Sequence, residues 1–126
     1  MNFDNHLILS SLPHTWILDL DGTILVHNGY KNYGKDIFVP GAKEFLKSLP
    51  PDDCIIFITS RLEKYKKLTE DFLYQENINF FTVIYGMPYG ERILINDNKP
   101  SGLRMAFACP VIRDIFNVTF SITESK

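Results

Sequence analysis

The sequence predicts an α/β fold, a mainly parallel sheet with helices on both faces. Three observations lead there. Short apolar runs of strand type, at 16–20, 54–58 and 80–85, alternate with segments whose apolar residues recur at helical spacing. The run Cys54-Ile55-Ile56-Phe57-Ile58 is apolar throughout, the pattern of a strand covered on both faces. Polar residues collect just after the strands, as Asp19 and Asp21, Thr59 to Arg61, and Asn96 to Lys99. In open α/β sheets that carboxyl edge is where ligands bind.

The elements follow in order. Leu7, Ile8, Leu9 and Leu12 suit a short helix or strand closed by Pro13. Residues 16–20 form the first strand, and 24–38, mixing Gly, Asn, Tyr and Lys, suit a flap over its end. Pro40 opens a helix carried by Ala42, Phe45, Leu46 and Leu49, which Pro50-Pro51 stops. After the strand at 54–58, Leu62, Tyr65, Leu68, Phe72 and Leu73 mark a helix to about Gln75. Residues 80–85 are the third strand and Gly86 to Gly90 a turn. Apolar runs at 92–96 and 103–109 read as fourth and fifth strands, and 118–122 as a last strand or a surface segment.

A chain of 126 residues fits one domain, residues 1–126. With 45% hydrophobic and 22% charged residues it is globular rather than disordered. A net charge of -2 gives no case for a nucleic-acid-binding surface, although a phosphorylated strand end remains open as a substrate. Cys54 and Cys109, both in apolar segments, read as buried free thiols of a reducing compartment. No apolar run nears the ~20 residues that cross a bilayer. The start of the chain carries Asp4 and lacks a signal pattern, so a cytoplasmic protein with no membrane partner is expected.

Asp19 and Asp21 end the first strand in Asp19-Leu20-Asp21-Gly22-Thr23. Unpaired buried carboxylates are costly. The two are turn residues, a metal site, or the nucleophile and acid/base of phosphoryl transfer. Thr59 and Ser60 follow the second strand, where a hydroxyl satisfies free backbone N–H groups of a helix start. A helix start is also an anion site. His6, His14 and His27 show no metal-ligand spacing and read as ordinary surface or flap residues; contact with a substrate is the alternative for His27, Tyr30 and Tyr33.

The Asp-x-Asp-Gly-Thr stretch resembles the first motif of the haloacid dehalogenase superfamily, and the likeness runs from about Trp16 to Asp114. It implies a three-layer Rossmann-like fold in which Asp19 is a nucleophile that becomes phosphorylated and Asp21 the general acid/base. An acid at Asp21 resembles the phosphatases of the family rather than its ion-pumping ATPases, which carry Thr there. Thr59 would hold the phosphoryl group, with Leu20, Ser60, Arg61 and Lys99 as substrate contacts. Mg²⁺ would be held by Asp19, the Asp21 backbone carbonyl and an acid at the fourth motif, Asp97, with Asn96 the rival position. Relatives often read Gly-Lys-Pro where this chain has Gly86-Met87-Pro88. Arg92 is the preferred substitute for that lysine, with Lys64, Lys66, Lys67 and Lys99 as rivals. No stretch is long enough for a cap domain, so the site is expected to be open, or closed by a second copy in a homo-oligomer.

Residues 87–103 also resemble small family members encoded with bacterial capsule and surface-polysaccharide genes. The resemblance implies a Mg²⁺-dependent phosphomonoesterase acting on a small phosphorylated metabolite, such as a sugar phosphate or polysaccharide precursor. The alternatives are a phosphatase of a protein or nucleic-acid end, and a weakly active binding module that keeps the fold.

Overall fold

A computed structural model describes residues 5–124. The chain runs β1 (Asn5–Leu9), β2 (Thr15–Asp19), α1 (Gly29–Asn32), α2 (Ala42–Ser48), β3 (Cys54–Ile58), a 3-10 turn at Glu63–Tyr65, α3 (Lys66–Gln75), β4 (Thr82–Ile84) and β5 (Val118–Ile122). β2, β3 and β4 form one parallel sheet in that order, and β1 pairs in parallel with β5 in a second. This is a small Rossmann-like α/β fold, the class expected, with helices carrying the crossovers of the three-stranded sheet.

Register decides which side chains make the core. Trp16 lies opposite Ile55, Leu18 opposite Phe57, and Phe57 opposite Val83, so these five share a face. Ile55, Phe57 and Val83 are buried in one cluster with Phe45 and Leu46 of α2, Leu49, and Leu73 of α3. The other face is covered less fully than the uninterrupted apolar run suggests: Ile17 is 49% and Ile84 41% exposed. Trp16 also packs edge-on against Phe45 and at a tilt against Phe120, ring centres 5.5 Å apart in each pair, which joins the two sheets through aromatic contacts.

Two expected strands do not form. Residues 92–96 and 103–109 carry no strand pairing, and Ile93 and Ile95 are 81% and 90% exposed. The segment closes on itself instead: Gly102 donates to the Lys99 carbonyl, Lys99 to that of Leu103, and the Arg104 guanidinium lies 4.5 Å from the Phe107 ring centre. A β-prone run states only that a strand is possible; pairing needs an edge in register, which local composition does not specify. The N-terminal and C-terminal segments settle the other way, as strands that pair with each other. Cys54 lies in β3 and Cys109 outside any strand; both thiols are free and half-buried. Among the described residues no helix is long and apolar enough to cross a membrane.

At the start of β3, Asp53 accepts from the His14 backbone N–H at 3.0 Å, meets His14 Nδ1 at 2.8 Å, and accepts from Trp16 Nε1 at 2.8 Å. Farther along, the Tyr85 hydroxyl donates to Glu70 Oε2 at 2.9 Å. Burial first, and then the acceptor and charge of Glu70, push that phenol up from its ordinary value. A phenol held neutral contributes stability that is fully present below its unfolded value of 10.0 and is lost as the pH rises beyond it. Chemical denaturation between about pH 9 and about pH 11 is therefore expected to show a falling stability that Tyr85→Phe makes shallower. An unchanged slope in Tyr85→Phe would assign the loss to other groups.

Candidate active site

The parallel register carries the first two polar clusters to one edge. Asp19 is the last residue of β2 and lies opposite Ile58, so Thr59 follows at the same level on the neighbouring strand. After β2 the chain turns sharply: Thr23, Ile24 and Leu25 all donate to the Leu20 carbonyl, and Gly22 takes a φ of 87°. A side chain at Gly22 would be strained in that conformation, and its Cβ would meet Arg113 Cγ at 3.1 Å. The Asp114 N–H donates to the Gly22 carbonyl and the Asp114 carboxylate accepts from the His27 N–H, which pins the 113–114 turn against the first motif. Nothing in the local sequence marks Arg113 and Asp114 as neighbours of Gly22.

Asp19 is held at both oxygens. Thr23 Oγ1 donates to Oδ2 at 3.1 Å and Arg92 Nη1 to Oδ1 at 3.1 Å. The carboxylate is still 32% exposed, open to a ligand from solvent. Of the basic candidates Arg92 is the one brought to Asp19. Lys67 pairs with Asp71, Lys64 lies over the Tyr65 ring, and neither Lys66 nor Lys99 forms an ion pair among the described residues.

Arg61, a candidate substrate contact or surface residue, is instead buried. Its side chain is 1% exposed, and all five guanidinium N–H donors are taken within the protein. Nε and Nη2 grip both Asp21 oxygens at 2.9 and 2.8 Å. Nη2 and Nη1 reach both Asp36 oxygens at 2.7 and 3.0 Å, and Nη1 also donates to Thr69 Oγ1 at 2.8 Å. Its Cζ lies 4.0 Å from the centre of the Tyr30 ring, a cation–π contact. Burial alone would lower the guanidinium's proton affinity. The hydrogen bonds to Asp21 and Asp36 and their charges outweigh it and hold the group above its ordinary value. A guanidinium with no donor left does not contact substrate, so that expectation is corrected. Asp36 and Thr69, both buried, carry no signal in the sequence; an Asp in a flap and a Thr in a helix are unremarkable until the fold joins them.

The remaining expectations divide. Thr59 is 1% exposed and its hydroxyl accepts the Arg61 N–H at 3.0 Å, while Met87 donates to the Thr59 carbonyl. The residue thus satisfies the backbone at the end of β3, as a strand-end hydroxyl does. Ser60 is half-buried, with its hydroxyl 3.5 Å from the Pro88 carbonyl. Leu20 is fully buried, so its side chain is core and not a substrate contact. Asp97 is exposed just after the unpaired 92–96 run, and no three-residue group joins it with Asp19 and Asp21. Asn96 is exposed and its amide donates to the Asp97 carbonyl. The strand that was to deliver the fourth-motif acid does not pair. Among the described residues no three acidic, His or Cys side chains converge as a metal cage.

No family model matches the chain, and no curated protein matches it. Two solved structures are similar. One is a chain of a Pnkp1/Rnl/Hen1 complex, 27% identical, with a TM-score of 0.51 over 66% of this chain and 31% of the other. The second is a chain of the Pnkp1/Rnl/Hen1 RNA repair complex, 26% identical, with a TM-score of 0.51 over 73% of this chain and 30% of the other. The present chain therefore spans less than a third of the length of either.

Proposed function

We propose that the chain is a phosphomonoesterase of haloacid dehalogenase type that removes a terminal phosphate from a nucleic-acid strand. The observation that carries the reaction class is the Asp19 carboxylate, exposed at a strand end and held at both oxygens by Thr23 and Arg92. A carboxylate fixed in this way is a preorganised nucleophile, and the Arg92 cation beside it offsets the repulsion between two anions. Asp19 attacks phosphorus, the ester oxygen leaves with a proton from Asp21, and water activated by Asp21 then cleaves the aspartyl-phosphate.

Mg²⁺ fits this donor set in a minimal form. Mg²⁺ is commonly bound through one or two protein oxygens, with substrate phosphate and waters as the rest. The Asp19 carboxylate is open to solvent, and the Asp21 backbone carbonyl takes no hydrogen bond among the described residues. These two oxygens would hold the ion, which when bound supplies further neutralisation of the phosphate charge. Asp97 is no part of that set.

Similarity to chains of an RNA repair complex favours a strand end over the small sugar phosphate expected from sequence. The net charge of -2 argues against tracking a long duplex, but a strand end presents its phosphate singly and needs no basic groove. The test is phosphate release from a 3′- and a 5′-phosphorylated oligoribonucleotide and from a panel of sugar phosphates, with Mg²⁺ and with EDTA. Faster Mg²⁺-dependent release from an oligonucleotide is expected. A sugar phosphate as the best substrate would restore the metabolic reading, and no release from any ester would remove the enzyme.

A further inference from the structure

Arg61 sits one step behind the proposed chemistry. A buried ion cluster is weak evidence for stability, because apolar groups of the same volume often serve a fold as well. What apolar groups cannot do is fix the plane of a carboxylate. The cluster has that geometry: Arg61 grips both oxygens of Asp21, and its own plane is fixed by both oxygens of Asp36, by Thr69 and by the Tyr30 ring. Asp36 is 4% exposed and Thr69 fully buried, whereas the Asp21 side chain, at 18% exposed, is where the cluster reaches the surface beside Asp19. The chain supplies these parts from five places: Asp21 from the turn after β2, Tyr30 from α1, Asp36 from the flap before α2, Arg61 from the end of β3, and Thr69 from α3.

We infer that Arg61 is a positioning residue that aims the Asp21 carboxylate at the leaving oxygen, and that Asp36 holds Arg61 in turn. The inference rests on the phosphomonoesterase reading above. It makes a demand that a merely structural role does not. A group acting through a general acid matters most where the leaving group needs a proton, and least where it departs as a stable anion. Arg61→Lys keeps the charge but cannot present two parallel donors to one carboxylate.

The experiment compares kcat/KM, which reports the phosphorylation step, for an alkyl phosphate and for p-nitrophenyl phosphate. Wild type and Arg61→Lys are assayed with Mg²⁺ and matched by melting temperature. The alkyl ester is expected to lose roughly ten-fold more than the aryl ester, within the usual range of a general acid. Equal losses on the two esters would make Arg61 structural and overturn the inference, leaving the phosphatase reading in place. If Arg61→Lys does not fold, Asp36→Asn is assayed in the same way, with a smaller selective loss on the alkyl ester expected and an equal loss on both again overturning it. Wild type inactive on both esters and on the oligonucleotides would end the reading and the inference together.

Discussion

Asp19→Asn is expected to lower phosphate release by about 10⁴-fold or more, the scale seen when a catalytic nucleophile is removed. The amide has the shape of the carboxylate and keeps an oxygen for Thr23 or Arg92, so the fold around it has little reason to change. It lacks the charge that attacks phosphorus. Arg92 and Asp19 are both about one-third exposed, and pairs of that kind contribute about 1 kcal/mol or less. Melting temperature should therefore hold while turnover vanishes. A variant that turns over near the wild-type rate would remove Asp19 as nucleophile, and with it the roles given to Asp21 and Arg61.

Asp53→Ala is the largest expected effect on stability. The Asp53 side chain is 1% exposed and accepts from the His14 backbone N–H and from Trp16 Nε1, with His14 Nδ1 on the same oxygen as Trp16. Truncation would strand these donors in a site where water does not replace the carboxylate. Breaking such a buried, charge-assisted set costs about 3 kcal/mol, a large share of what a small domain has. Trp16 packs against Phe45 and Phe120, so the loss should loosen the joint between the two sheets as well. Urea denaturation reads the cost directly. Asp53 lies at the opposite edge of the sheet from Asp19, so the native fraction should keep its kcat. A loss under about 1 kcal/mol would mean that solvent or a shifted His14 satisfies those donors.

Much of the core sheet is legible in the amino-acid sequence. Cys54-Ile55-Ile56-Phe57-Ile58 is a strand wherever it is buried, because the run is too short and too apolar for a surface helix. The helices at 42–48 and 66–75 follow from apolar spacing with stops at Pro50-Pro51 and after Gln75. The first motif is legible too, since two carboxylates straight after an apolar strand make an unusual local pattern. Arg92 is preferred over the lysines only through the family resemblance, as the stand-in for its third-motif lysine; the structure brings it to within 3.1 Å of Asp19.

Local pattern does not state which elements meet. Residues 92–96 look as strand-like as β4, yet they stay unpaired; Arg92 reaches Asp19, while Asp97 forms no three-residue acidic group with Asp19 and Asp21. Arg61 reads as a strand-end cation at the substrate or the surface; its five donors are taken up by partners 8 to 40 positions away. Local pattern determined the strand and helix types and the Asp19–Asp21 motif, because backbone sterics and side-chain periodicity act over a few residues. Only the tertiary structure decided the Asp21–Arg61–Asp36 cluster, the β1–β5 pairing and the approach of Arg113 to Gly22. Those depend on the register of segments far apart in the chain, which no short window of sequence records.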